Sequence, residues 1–73
     1  MGKYQIKYKG HLAVSKGMDA RDAFENYCNR TFFGYNPIVA WDTQFELIDA
    51  DTYGHEWASY YNDEMGRISV ELI

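Results

Sequence analysis

The chain has one cysteine, one proline and two histidines in 73 residues. One thiol cannot close an internal disulfide, so no disulfide framework holds this chain. His11, Cys28 and His55 are scattered along the sequence, whereas a structural zinc needs four ligands in closely spaced pairs. Gly10, Gly17, Gly34, Gly54 and Gly66 stand alone as turn formers, so there is no glycine-rich phosphate loop, and no serine sits in a nucleophile elbow. With no catalytic, metal or cofactor signature, the expectation is a protein that is not an enzyme and carries no cofactor. No apolar stretch is long enough to cross a bilayer and the short polar start lacks a signal-peptide pattern, which predicts a soluble, cytoplasmic protein with no membrane partner.

Positive charge is scarce in one half. The net charge is −4; residues 1 to 37 hold six Lys or Arg against three acids, and residues 38 to 73 hold only Arg67 against eight. Those eight are Asp42, Glu46, Asp49, Asp51, Glu56, Asp63, Glu64 and Glu71. Such a surface repels phosphates and suits a basic partner; a solvated acidic face that keeps the protein soluble is the plainer alternative.

Aromatic residues are plentiful, at 18% of the chain. A single domain of this size is near the lower limit for one self-sufficient core, and aromatics supply large apolar bodies to fill it. The stretch Asp19 to Gly34 reads as an amphipathic helix. Ala20, Ala23, Phe24, Tyr27, Cys28, Thr31 and Phe32 recur at three- and four-residue steps, with Arg21, Asp22, Glu25, Asn26, Asn29 and Arg30 largely opposite. Asp19 is the N-cap, Asp22 adds charge to the first turn, Met18 is placed to staple against Ala23, and Gly34 is positioned to end the helix. Cys28, on the apolar stripe, is read as a reduced core thiol.

Strand patterns flank the helix. Lys3 to Lys16 predicts a hairpin whose loop is Tyr8, Lys9 and Gly10, pairing Ile6 with Leu12 and Tyr4 with Val14 on one face. Val39, Trp41, Phe45 and Leu47 alternate with polar residues as in a half-buried strand; His55 to Tyr61 and Arg67 to Ile73 complete the set. The fold class expected is α+β, a single helix packed on an antiparallel sheet in the order β-β-α-β-β-β, as one compact domain over residues 1–73. Bulged three-residue turns ending at Gly54 and Gly66 put Phe45, Leu47, Trp57 and Tyr61 on one face and Ile48, Ala58, Tyr60, Val70 and Leu72 on the other. One helix can cover only one of them. Either a turn differs, or the sheet presents Tyr60 and aliphatic neighbours beside Glu46, Glu56 and Glu71.

Two further patterns have ordinary explanations. Asp49 to Gly54 matches the first, third and sixth positions of a calcium loop, but Tyr53 and Tyr60 stand at the fifth and twelfth, and turn chemistry accounts for the rest. Asn29-Arg30-Thr31 fits a glycosylation acceptor but falls on the helix.

Small size, the acids from Asp42 to Glu56 and the stretch Tyr60-Tyr61-Asn62-Asp63-Glu64 resemble the small acidic inhibitor proteins encoded by phages, including anti-CRISPR proteins and DNA mimics. That resemblance implies a non-enzymatic inhibitor occupying a basic site of a nucleic-acid-handling host protein. The partner-binding residues expected are Asp42, Glu46, Asp49, Asp51, Glu56, Tyr60, Asp63, Glu64 and Glu71. A homodimer through an exposed sheet face is the alternative. A third reading, direct nucleic-acid binding through Lys3, Lys7 and Lys9 with Tyr4 and Tyr8, is opposed by the overall charge balance.

Overall fold

A computed structural model describes residues 2–32, 40–51 and 56–73. Among them run strands β1 (Gly2–Tyr8) and β2 (His11–Gly17), helix α1 (Ala20–Thr31), a short helix α2 (Trp41–Gln44), and strands β3 (Glu46–Ala50), β4 (Trp57–Asn62) and β5 (Gly66–Leu72). The strands form one antiparallel sheet in the order β2-β1-β5-β4-β3. The α+β class and the order of the expected elements hold, with α2 added.

The first hairpin differs from the expected register by one residue. Lys9 and Gly10 both have positive φ, at 49° and 80°, so the connection is a two-residue turn whose twist matches the strands. Tyr8 therefore faces His11, Ile6 faces Ala13 and Tyr4 faces Ser15. The shift turns every β2 side chain over. Leu12 and Val14, expected inside, are 64% and 50% exposed; Ala13, Ser15 and Gly17 point inward in their place. Small residues are needed there because α1 lies close over β2. The Ser15 hydroxyl donates to the Ala23 carbonyl at 2.8 Å, and a Cβ on Gly17 would stand 2.4 Å from the Ala23 nitrogen.

Helix α1 begins as predicted. Asp19 accepts from the Asp22 N–H at 2.8 Å, and the Asp22 carboxylate accepts from the Met18 N–H at 2.8 Å, so the two acids satisfy donors that the first turn leaves open. Met18 itself is 80% exposed and makes no staple. The helix stops at Thr31 with Phe32 as C-cap, its N–H bonded to the Cys28 carbonyl at 2.9 Å. Gly34, the stop expected, lies outside the described residues.

The strand expected from Val39 to Leu47 is instead α2 followed by β3. Trp41 and Phe45 are four apart, a spacing that serves a helical turn as well as alternation serves a strand. Both are buried, and the Trp41 indole donates to Asn29 Oδ1 at 2.8 Å, tying α2 to α1. Val39 lies outside the described residues.

Between α1 and the sheet is an aromatic core. Phe24 stacks on Tyr60 with ring centres 3.9 Å apart and meets Phe45 edge-on at 5.2 Å; Phe32 bridges Tyr8 and Trp41. Ile6, Ile68, Val70 and Ala58 floor it from the sheet. Ala58, Tyr60 and Val70 thus belong to the covered face, and Trp57 and Tyr61 to the uncovered one. A bulge between Leu47 and Asp49 sets Leu47 opposite Tyr60 instead of beside Trp57, correcting its expected face.

Candidate functional site

Among the described residues, one face of the sheet carries no helix. Register places its side chains in rows: Glu46, Tyr61 and Arg67; then Asp49, Ser59, Ser69, Lys7 and Leu12; then Trp57, Glu71, Gln5 and Val14; then Lys3 beside Lys16. Trp57 and Tyr61 are 37% and 40% exposed. They stand one strand in from the acidic edge β3. On the other side lie β1 and β2, whose outward charges are all positive. The fold therefore converts an imbalance along the sequence into opposite charges on two sides of one surface.

Each expected partner residue now has a place. Glu46, Asp49 and Glu71 are on the open face and exposed. Glu56 is exposed just before β4, and Asp63 and Glu64 are exposed in the β4–β5 turn. That turn is built by Asn62, whose side-chain oxygen accepts from the Glu64 and Met65 N–H groups at 2.8 and 3.0 Å, and by Gly66 at φ 87°. Asp51 follows β3 and accepts from the Glu56 N–H at 3.0 Å; residues 52 to 54 and His55 lie outside the described residues.

Two of the expected residues are elsewhere. Tyr60 is 4% exposed beneath α1, because strand alternation gives Tyr60 and Tyr61 to opposite faces. Burial, with the Asp42 charge second, lifts its phenol to about 12. Asp42 sits at the start of α2 facing α1, and its Oδ2 pairs with Arg21 Nε at 2.7 Å. Glu25 joins this group: burial first, then the Asp42 charge, raises its pKa, while Arg21 opposes the rise. This pairing ties α2 to α1 and is separate from the open face.

Trp57, Tyr61 and Arg67 are among the open-face residues missing from the expected set. The signal was available. In β4 and β5 one face carries Ala58, Tyr60, Ile68 and Val70 with no charge, and the other carries Arg67 and Glu71, so the charged face is the one the helix leaves to water. Tyr4 and Tyr8, the stacking residues of the nucleic-acid reading, are buried and half-buried.

Cys28 is fully buried, and burial pushes its thiol up to about 12, which keeps it protonated and unreactive. No group of three or more His, Cys, Asp or Glu among the described residues is arranged to hold a metal. No helix of the described residues is long and apolar enough to cross a membrane. Comparison with protein-family models, with curated proteins and with solved structures finds no match for this chain.

Proposed function

We propose that this is a non-enzymatic protein-binding inhibitor, of the phage-encoded anti-CRISPR or DNA-mimic kind, whose acidic β3 side occupies a basic site on a nucleic-acid-handling host protein. One observation carries the reading: Glu46 and Asp49 line an exposed sheet edge on the same uncovered face as Trp57 and Tyr61. Carboxylates along an edge steer a basic surface into register, and rigid aromatics one strand in provide anchors with little rotamer entropy to lose. Tyr61 and Trp57, and not the buried Tyr60, supply these anchors.

The test is retention of a bacterial protein from nuclease-treated lysate. Reversing Glu46→Lys and Glu56→Lys together should cut retention at least tenfold and flatten its dependence on salt, because encounter is steered by those charges. Both residues are exposed, so stability should change by only a few tenths of a kcal/mol. Reversing Lys7→Glu and Lys9→Glu should leave retention unchanged. Retention that survives the glutamate reversals and is lost with the lysine reversals contradicts the proposal.

A further inference from the structure

The other half of the open face has its own chemistry. Lys7 from β1, Lys9 and Gly10 from the turn, and Arg67 and Ser69 from β5 line one concavity of about 280 Å³. Ser69 also lines a second concavity of similar size, with Trp57, Ser59 and Glu71. The two small serines, Ser59 and Ser69, are register partners, and their row, with Lys7 at its β1 end, leaves a shallow trough between the row of Tyr61 and Arg67 and the row of Trp57 and Glu71.

The cations are available and partly fixed. Among the described residues the one ion pair joins Arg21 to Asp42, so Lys3, Lys7, Lys9, Lys16 and Arg67 are not neutralised by a carboxylate there. Arg67 Nη2 lies 3.4 Å from the Ser59 hydroxyl, which turns the guanidinium over the trough. Lys9 Nζ is 5.4 Å from the centre of the Tyr8 ring. From Lys3, beside Lys16, to Lys9 the cations follow β1 for about 20 Å at the ordinary rise per residue. Trp57 and Tyr61 on β4 lie two strands from β1, about 10 Å by strand spacing. That separation is of the order of the reach from a phosphate to its own base.

We propose that the same uncovered face takes a few nucleotides of single-stranded nucleic acid, phosphates along Lys3, Lys7, Lys9 and Arg67, bases reaching along the trough to stack on Tyr61 and Trp57 at its two flanks. Base stacking on exposed aromatics combined with a basic track is the mode by which open sheets hold single strands. The net negative charge of the chain counts against such binding only while charge is summed; the fold separates it. Glu46 adjoins Tyr61 on the side away from β1, where a carboxylate can accept from a base amino group; Glu71, on β5 between Trp57 and Gln5, marks the row in which the phosphate path must keep to the β1 side. The inference goes beyond the protein-binding reading and does not depend on it, because the isolated chain is the test object.

The experiment is a titration of the full chain with a single-stranded ten-nucleotide oligocytidylate, read by fluorescence anisotropy and by backbone amide shifts. Inorganic phosphate alone is the comparison. Phosphate should shift Lys7, Lys9, Gly10, Arg67 and Ser69, and the oligonucleotide should bind at least tenfold more tightly and extend the shifts to Trp57 and Tyr61. Neutralising about three phosphates gives a slope of log affinity against log salt near −2. Lys7→Glu with Arg67→Glu should weaken oligonucleotide binding at least tenfold, with an unchanged amide spectrum elsewhere as the control for folding. Tyr61→Ala should weaken the oligonucleotide several-fold and leave the phosphate shifts as they were. No binding at low salt, equal binding by the charge-reversed variant, or an oligonucleotide no tighter than inorganic phosphate would each overturn the proposal.

Discussion

At the scale of single residues, small size at one position and large size at another hold the two layers together. Gly17 has no room for a side chain: an added methyl would meet the backbone of Asp22 and Ala23 within 3.0 Å. Backbone cannot rotate away as a side chain can, so Gly17→Ala should destabilise by roughly 1–3 kcal/mol. In a domain of this size that corresponds to a fall in Tm of at least about 4 °C, measurable by thermal denaturation. Phe24 is the opposite case. It is fully buried, stacked on Tyr60 and edge-on to Phe45, and Phe24→Ala should cost about 3–5 kcal/mol, enough to unfold much of the population at 37 °C. An unchanged thermal midpoint for that variant would contradict the packing of α1 on this sheet.

Two buried acids give the domain an alkaline limit. The Cys28 thiol and the Tyr60 phenol are both raised to about 12, chiefly by burial, whereas in the unfolded chain they ionise near their ordinary values of about 8.5 and 10. Above those values the unfolded state loses protons that the folded state retains, so this contribution is intact below about pH 8.5 and falls progressively up to about pH 12. Denaturant titrations between pH 8 and 11 should show that decline. Tyr60→Phe keeps the ring stack and should make the decline shallower above pH 10 relative to the parent chain.

At the scale of elements, α1 does more than cover the sheet. Arg30 Nη2 donates to the Val14 carbonyl at 3.0 Å and Asn26 Nδ2 to the Lys16 carbonyl at 2.8 Å. These two side chains, four residues apart on the helix, occupy outward-facing acceptors of edge strand β2 and blunt it as a template for another strand. The doubly substituted Asn26→Ala, Arg30→Ala chain should sediment as larger species at concentrations where the parent shows none. No difference between the two would mean that other features keep that edge unpaired.

The helix was legible in the sequence because several signals agreed. A 3.6-residue stripe, an aspartate N-cap and a second acid in the first turn all point to one start. Strands β1, β2, β4 and β5 were legible as segments, and the shared face of Ala58, Tyr60 and Val70 held; the registers of β1 with β2 and of β3 with β4 were not legible, since each depends on a single turn residue or bulge. Lys9 adopting a positive φ beside Gly10 made the first turn one residue shorter than expected and exchanged Leu12 and Val14 for Ala13 and Ser15. Likewise Trp41 and Phe45 satisfied two periods at once, and a tertiary contact, the indole bond to Asn29, accompanies the helical choice. Of the candidate partner residues, Glu46 was expected on the face of Tyr60 and stands in the row of Tyr61, because β3 begins at Glu46 and meets β4 through a bulge. Tyr60 keeps its expected neighbours Ala58 and Val70, but theirs is the covered face, which could be identified only by asking which of two aromatic rows also carries charge.

On the scale of the whole molecule, seven residues of Lys and Arg and eleven of Asp and Glu give a modest net charge, yet their arrangement on the open face is strongly polarised. The hairpin β1–β2 contributes positive side chains and β3 negative ones, and the strand order puts these at opposite sides of the sheet. Acidic β3, aromatic β4 and basic β1 are then three bands of one surface. The helix-covered side presents another composition: Met18 at the start of α1, with Arg21 and Asp22 beside it. The central claim is that recognition uses the open face. Hydroxyl-radical footprinting of the protein bound to the host protein it retains tests this most directly, because Trp57, Tyr61 and Met18 are all reactive and exposed and lie on different sides. The account predicts that Trp57 and Tyr61 lose reactivity on binding while Met18 keeps it; protection of Met18 with Trp57 and Tyr61 unchanged would contradict it.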